Sequence, residues 1–302
     1  MAIFDEIQAG VEQVAGDAGS SVVGIGHRWG AGSGIVLGDG RVLTNAHNVR
    51  ADQVTVTFAD GRTADGRLAG RDIDADLAVI EVDTGGVAAL PWASEPTPRI
   101  GTPVFALANP GGRGLRVTFG LVSGIDRVFR GPRGRRITGS LEHTAPLLPG
   151  SSGGPVLTAG GELLGINTNR LGEGFYLAIP ADQALRERAG ALARGESAAP
   201  PRLGIAIAPS HVARRLRRAV GLPDADGLLI RDVTSDSPAA NAGLASGDLI
   251  VGAAGNPVRS PDDLFDALAA ARGTIELNVV RGTDERTIQV TLPGDGQPAQ
   301  DA

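Results

Sequence analysis

Three short segments of the sequence carry side chains that could act together in acyl transfer. VLTNAHNV contains His47, DADLAVIEV contains Asp76, and PGSSGGPVL contains Ser152. A serine hydroxyl is a weak nucleophile until a neutral imidazole takes its proton and a carboxylate holds that imidazole in the correct tautomer. The glycines around Ser152 allow a tight turn that exposes the hydroxyl and aims backbone N–H groups at a developing oxyanion. These residue types therefore predict hydrolysis by an activated serine.

The order of these segments along the chain separates two classes of hydrolase. Gly150, Ser152 and Gly154 also satisfy G-x-S-x-G, the nucleophile elbow of α/β-hydrolases, which place the acid and the histidine after the serine. Here the only histidine after Ser152 is His211, and the order His, Asp, Ser is that of chymotrypsin-like enzymes. The sequence also lacks alternating βαβ units. We therefore reject the α/β-hydrolase interpretation.

The neighbouring candidates are interpreted differently. Asp72 and Asp74 are taken as solvated turn residues, because only Asp76 directly precedes an apolar strand. Ser151 is a possible rival nucleophile, but Ser152 alone is followed directly by Gly-Gly. The remaining histidines carry no motif and are interpreted as structural or exposed residues: His27, His143 and His211.

The elements that must position these side chains are mostly short strands. Between Ser21 and Ile179, β-rich runs alternate with Gly, Asp and Pro turns, which is typical of an all-β sandwich or barrel. Apolar residues at helical spacing predict a short helix over 3–14. Residues 193–201 have linker composition, and a second β-rich unit with two helical segments follows over 202–293. The polar tail 294–302 is expected to be flexible.

Composition excludes several kinds of chemistry. The 302 residues contain no Cys, which rules out a cysteine nucleophile and thiolate zinc sites, and all 28 basic residues are Arg, which rules out a catalytic lysine. The four His are too scattered to suggest a metal site, so we expect neither metal nor cofactor. A net charge of −6 argues against nucleic-acid binding.

The sequence offers no positive signal for a membrane or for export. Its first residues are acidic and lack an apolar core, and no apolar run approaches the roughly 18 residues of a membrane span. We therefore expect a soluble protein that is cytoplasmic by default, with an exported or anchored origin left open.

The three segments around His47, Asp76 and Ser152 resemble those of the HtrA/Deg family of trypsin-like serine proteases, in which TNAHxV, DLAV and PGxSGGP carry the triad. The resemblance implies that His47 is the general base, Asp76 its orienting acid and Ser152 the nucleophile. It also implies an oxyanion hole made by the N–H groups of Gly150 and Ser152. The implied fold is mainly β, with a chymotrypsin-like double β-barrel protease domain over 1–192 followed by an α+β PDZ domain.

The segment before the nucleophile departs from the family pattern. The family often has TDAAINPGNSGG where this chain has HTAPLLPGSSGG, so Thr144 replaces an acid and Pro146 lies six residues before Ser152. By analogy with trypsin-like folds, this region floors the primary specificity pocket, and without an acid it favours a small or medium aliphatic P1 residue. The implied pocket residues are Pro146, Asn167, Thr168 and Asn169.

Residues 237–270 resemble the corresponding segment of bacterial PDZ domains, with a short helix over 238–242 and Ser260 as the N-cap of a longer helix. A peptide could add as a strand beside LGIAI, with its terminal carboxylate near Leu203 and Gly204. The implied peptide-binding residues are Leu203, Gly204, Ile205, Ile207, Leu264 and Leu268.

The sequence thus predicts a serine endopeptidase that hydrolyses unfolded or damaged proteins through an acyl-enzyme and binds C-terminal tails at its PDZ domain. One alternative is a chaperone or adaptor with a mainly structural protease domain, and another is an esterase that uses the same triad. The family is usually trimeric through aromatic contacts near the amino terminus. Because only Phe4 is available there, a homotrimer is possible rather than required.

Overall fold

The computed structural model describes residues 2–26, 32–38, 40–94, 98–131, 136–170, 174–196 and 202–292. The chain divides into two compact units, Met1–Ala199 and Pro200–Ala302. Each unit has its own cluster of buried apolar side chains. Part of the predicted linker (197–201) and the whole predicted tail (294–302) lie outside the described residues.

The first barrel is formed by the amino-terminal strands of the first unit. These strands are β1 (Val22–Ile25), β2 (Gly32–Gly38), β3 (Arg41–Thr44), β4 (Gln53–Thr57), β5 (Thr63–Asp72) and β6 (Leu77–Glu81). They close antiparallel in the order β1-β2-β3-β6-β5-β4. In β4, QVTVT buries Val54 and Val56 while the alternate residues face outward, as period-2 patterning requires.

The second barrel follows in the same unit. Its strands are β7 (Pro103–Ala108), β8 (Arg116–Arg130), β9 (Arg136–His143), β10 (Pro155–Leu157), β11 (Leu163–Arg170) and β12 (Tyr176–Pro180). They close in the order β10-β11-β12-β9-β8-β7. Side chains from both barrels, among them Leu43, Leu77, Leu107 and Ile166, belong to one buried cluster. This arrangement confirms the predicted double β-barrel.

Two helices flank the barrels. Helix α1 (Ala2–Ala18) is longer than the predicted 3–14, because its last turn buries Val14 and Ala18 in the core. Helix α2 (Gln183–Ala193) begins after Asp182, whose carboxylate accepts a hydrogen bond from the Leu185 N–H at 2.8 Å. No helix among the described residues is long and apolar enough to cross a membrane.

The second unit is an antiparallel sheet with three helices along its chain. Its elements are β13 (Ile205–Ala208), α3 (Ser210–Ala219), β14 (Leu228–Val233), α4 (Pro238–Asn241), β15 (Leu249–Ala253), β16 (Asn256–Pro257), α5 (Pro261–Ala270), β17 (Thr274–Arg281) and β18 (Asp284–Thr291). The sheet order is β13-β14-β15-β17-β18, with β16 paired to β15, so β13 forms one edge. A reciprocal capping box between Ser260 and Asp263 begins α5, at the predicted N-cap.

Candidate active site

The loop between β9 and β10 presents Ser152 from the second barrel. Gly150 and Gly153 have φ angles of 89° and 87°, a left-handed conformation that favours glycine. A Cβ at Gly153 would overlap the Ser33 carbonyl oxygen, so the close approach of two backbones also requires glycine there. Ser151 is buried inside the turn, whereas Ser152 is partly exposed. The local sequence therefore turns the second serine outward.

Three hydrogen bonds attach this loop to the first barrel. The Ser33 N–H and the Asn48 side-chain amide both donate to the Ser152 carbonyl at 2.9 Å. The Ser33 hydroxyl donates to the Gly150 carbonyl at 2.8 Å. Ser33 lies on β2, and Asn48 ends the 3-10 turn that contains His47. The position of Ser152 is thus set partly by the barrel that carries His47.

The side chains of His47 and Asp76 form a close pair on the first barrel. His47 Nδ1 lies 2.9 and 2.8 Å from the two carboxylate oxygens of Asp76, and the His47 backbone N–H donates to the same carboxylate at 3.1 Å. The Asp76 side chain is 2% exposed and the imidazole 37%. Asp76 occupies a left-handed conformation with φ of 57°. A buried carboxylate therefore holds a half-exposed imidazole by its Nδ1.

Thr168 connects this pair to the nucleophile loop. Its hydroxyl donates to Asp76 Oδ2 at 2.7 Å, and its carbonyl accepts a hydrogen bond from the Ser152 hydroxyl at 3.1 Å. The proton of the Ser152 hydroxyl is thus directed at a backbone carbonyl. Asn45 adds a bond from its side-chain amide to the Asp76 carbonyl at 2.9 Å. The sequence did not indicate the contacts of Thr168 and Asn45 with Asp76, because the partners are distant along the chain.

The structure contradicts the interpretation of Asp72 as a solvated turn residue. Its side chain is fully buried, accepts a hydrogen bond from the Ala75 N–H at 3.0 Å, and pairs with Arg188 of α2 at 3.0 Å. The interpretation was wrong because the cation that allows Asp72 to be buried comes from a helix far along the chain. Asp72 instead fixes the turn that leads into Asp76.

The backbone N–H groups of Gly150 and Ser152 are available to bind an anion. Neither the Gly150 N–H nor the Ser152 N–H hydrogen-bonds to any residue in the described ranges. Their neighbours in the turn are engaged, since the Ser151 and Gly154 N–H groups both donate within the loop. This is the arrangement expected of donors held ready for an oxyanion.

The predicted pocket residues lie in different environments. Pro146 is exposed, Thr168 is buried against Asp76, and the Asn169 side chain lies outside the described residues. Asn167 is fully buried and turns its amide away from solvent, toward His143 and the Gly154 carbonyl.

In the second unit, five of the six predicted peptide-binding residues belong to or pack against one apolar cluster, and Gly204 is the exception. Leu203 and the two α5 leucines, Leu264 and Leu268, are buried, whereas Ile205 and Ile207 on the edge strand β13 are only partly buried. Gly204 has φ of 76°, and a Cβ there would overlap the Ser237 side chain. The loop before β13 therefore requires glycine at this position.

Comparison with known proteins agrees with these features. Residues 32–166 match the family model of the trypsin-like peptidase domain, and residues 229–281 match that of the PDZ domain. Serine endoprotease DegS of Escherichia coli (strain K12) is 33% identical over 282 residues, covering 86% of this chain and 76% of that relative. The crystal structure of the serine endoprotease from Yersinia pestis has 29% sequence identity and a TM-score of 0.70, and the match covers 95% of this chain and 98% of that one.

These relatives correct the expected location. A protein named "Probable periplasmic serine endoprotease DegP-like" from Halomonas elongata is 34% identical over 278 residues, covering 89% of this chain and 57% of that relative. The expectation of a cytoplasmic protein is therefore wrong. It was inferred from the lack of an apolar segment, which is no positive sign of the cytoplasm.

The likeness extends along both units and includes the segments that carry His47, Asp76 and Ser152. The predicted family and enzyme class are confirmed. This chain belongs to the HtrA/Deg family of trypsin-like serine endoproteases and carries a PDZ domain after its double barrel.

Proposed function

We propose that this endoprotease cleaves peptide bonds of unfolded or damaged proteins with Ser152 as nucleophile, His47 as general base and Asp76 as orienting acid. The observation that carries the assignment is the pair between His47 Nδ1 and the buried Asp76 carboxylate, tied through Thr168 to the Ser152 hydroxyl. Ser152 is preferred over Ser151 because only Ser152 is partly exposed.

Acylation begins when the Ser152 hydroxyl leaves the Thr168 carbonyl and its proton passes to His47 Nε2. The oxygen attacks the scissile carbonyl carbon, and Asp76 stabilises the imidazolium that forms. The carbonyl oxygen becomes an oxyanion and accepts hydrogen bonds from the free N–H groups of Gly150 and Ser152. Loss of one such donor typically costs about 2.7–4 kcal/mol of transition-state stabilisation. His47 then gives its proton to the leaving amine, and the C–N bond breaks.

Deacylation repeats the same steps with water. His47, again neutral, takes a proton from the water as its oxygen attacks the acyl carbon. The second tetrahedral intermediate uses the same N–H donors. It collapses to a free carboxyl group, and the proton held by His47 returns to the Ser152 oxygen.

Digestion of an unfolded casein-like substrate by two matched variants tests this assignment. We expect S152A to lose activity by a factor of about 10⁴ or more. S151A removes an equivalent hydroxyl from the adjacent residue and should retain activity within about threefold, as expected of a residue outside the triad. Loss of activity in S151A with retention in S152A would overturn the assignment. Turnover of an activated ester without casein cleavage would indicate an esterase. No fluorophosphonate labelling, even with added tail peptide, would indicate a chaperone or adaptor.

We also propose a primary specificity pocket for small or medium aliphatic P1 side chains. Support comes from Thr144 and exposed Pro146, which leave no carboxylate in the segment expected to floor the pocket. A series of otherwise identical peptides with Ala, Val, Leu, Arg or Lys at P1 tests this specificity. The highest kcat/KM for Arg or Lys would contradict the proposal.

The second unit is proposed to bind the free carboxyl end of substrate or activator tails by adding the peptide as a strand to β13. In its support, β13 forms an edge of the sheet and carries the partly buried Ile207. I207S should weaken tail binding about tenfold or more, since burying an isoleucine contributes roughly 1.5–3 kcal/mol. I288S is the matched control, because Ile288 packs on the same cluster from the opposite edge strand. Equal affinity for a carboxylate tail and its amide would contradict the proposed end recognition.

For assembly, we propose a homotrimer that buries Phe4. This side chain is 74% exposed on α1, which leaves it accessible to a neighbouring copy of the chain. Sedimentation velocity should give a trimer for the wild type and smaller species for Phe4→Ser. A monomeric wild type at micromolar concentration would contradict this proposal.

A further inference from the structure

His143 is a buried histidine that the proposed catalytic steps do not use. It is the last residue of β9, its side chain is 1% exposed, and its ring stacks on Tyr176 with centroids 5.9 Å apart. The strands on either side pair its backbone with Val122 and Tyr176. A histidine in such a position is not an exposed surface residue, and its hydrogen-bond partners must come from within the protein.

The neighbouring amide determines which ring nitrogen of His143 carries the proton. Asn167 Nδ2 lies 3.1 Å from the Gly154 carbonyl oxygen and 3.3 Å from that of Pro155. Because carbonyls only accept hydrogen bonds, the NH₂ group must face them, and Asn167 Oδ1 faces His143 Nε2 at 2.9 Å. Nε2 is therefore the donor. Nδ1 has no partner among the described residues.

Asn167 is the residue that holds the chain just after the nucleophile. Its N–H donates to the Gly154 carbonyl at 2.8 Å, and its carbonyl accepts from the Gly153 N–H at 2.7 Å. With the side-chain bonds, Asn167 thus binds residues 153–155 through four hydrogen bonds. The next residue, Thr168, contacts both Asp76 and the Ser152 hydroxyl.

We propose that His143 is a positioning residue for Ser152: its Nε2–H fixes the Asn167 amide, and Asn167 in turn fixes the loop that follows the nucleophile. This inference rests on Ser152 being the nucleophile. His143 touches neither substrate nor reacting atoms in the proposed steps, so it acts only through Asn167.

Removal of the His143 donor has a definite consequence for Asn167. Its Oδ1 would be left buried without a partner, which is unfavourable, and rotation of the amide to relieve this would break the bonds to Gly154 and Pro155. Burial lowers the pKa of His143 from 6.5 to about 4, despite the opposing hydrogen bond to Asn167. At neutral pH the ring therefore holds the single proton that the Asn167 oxygen needs.

Steady-state cleavage of a short peptide by H143L and H143Q tests the proposal. H143L removes the donor while keeping an apolar side chain of moderate size, and we expect kcat to fall about tenfold with KM unchanged within about twofold. In H143Q, the glutamine side chain can place an amide N–H near the position of the His143 Nε2. This variant should keep kcat within about twofold to threefold of wild type. Rescue by Gln is not expected if His143 only fills space.

Two further variants separate positioning from general destabilisation. V122A creates a small cavity on the strand beside His143 and removes no hydrogen bond of His143 or Asn167, so at matched loss of thermal stability its kcat should stay near wild type. In an N167A background, H143L should reduce kcat no further, because its only route to Ser152 is already removed. An unchanged kcat in H143L, an equal loss in V122A, or additive losses in the double variant would overturn the proposal. Persistent activity of S152A would instead refute the underlying assignment of the nucleophile.

Discussion

Acidification should destabilise the first unit through His143. In the folded protein, burial lowers the pKa of this imidazole from 6.5 to about 4. The unfolded chain therefore binds more protons between pH 4 and 6.5, and the stability contributed by the neutral ring is lost as the pH falls through that window. At 1.36 kcal/mol per pH unit, the complete loss is about 3 kcal/mol, of which about 2 kcal/mol falls between pH 7 and pH 5.

Urea unfolding of wild type and H143Q at several pH values between 5 and 7 measures this effect. Both tryptophans of the sequence, Trp29 and Trp92, belong to the first unit, so tryptophan fluorescence follows its unfolding and not that of the PDZ unit. The variant lacks only the titrating ring at position 143. Subtracting its free energy of unfolding from that of wild type therefore cancels the titration of every other group.

The expected difference curve slopes downward toward low pH and falls by about 2 kcal/mol from pH 7 to pH 5. Parallel curves for wild type and H143Q would show that His143 titrates with the same pKa in both states. In that case burial does not hold the ring neutral, and the conclusion that the ring carries a single proton would lose its support. A curve that rises toward low pH would mean that the folded protein stabilises the charged ring.

Three further substitutions test a glycine turn and a buried ion pair in the first unit and a helix cap in the PDZ unit. G153A should abolish fluorophosphonate labelling and lower the melting temperature, because the new Cβ would overlap the Ser33 carbonyl in a left-handed conformation. R188Q should destabilise the first unit by roughly 1–3 kcal/mol in urea unfolding and lower kcat, because it leaves the Asp72 carboxylate buried without its cation. S260A should destabilise the PDZ unit by about 1 kcal/mol, measured by circular dichroism, through loss of the α5 cap.

The family, the fold class and the enzyme class could all be predicted because their signals are local. Most barrel strands are short β-rich runs bounded by turn residues, such as QVTVT in β4, and each motif carries one of the candidate triad side chains. Chain order then excluded the α/β-hydrolase, although Gly150, Ser152 and Gly154 fit its motif. The Ser260 cap of α5 is also local, since donor and acceptor lie within one helical turn.

What the sequence could not predict depends on partners that are distant along the chain. Asp72 looks like a turn residue until Arg188 of α2 is folded against it. Asn167 was expected in the specificity pocket by analogy with trypsin-like folds, but its side chain is buried and its amide oxygen faces His143 Nε2. In each case the polar side chain is buried because a partner satisfies it, and neither residue spacing nor hydropathy reveals that partner.

In the proposed site, neither barrel alone carries all three residues of the triad. The first barrel supplies His47 and Asp76, and the second supplies Ser152, while Ser33 and Thr168 carry hydrogen bonds across the junction. Small shifts between the barrels therefore alter several contacts of the site together, since packed interiors transmit strain. On this view, the Ser33–Gly150 and Thr168–Asp76 hydrogen bonds matter for catalysis because they fix the position of one barrel relative to the other.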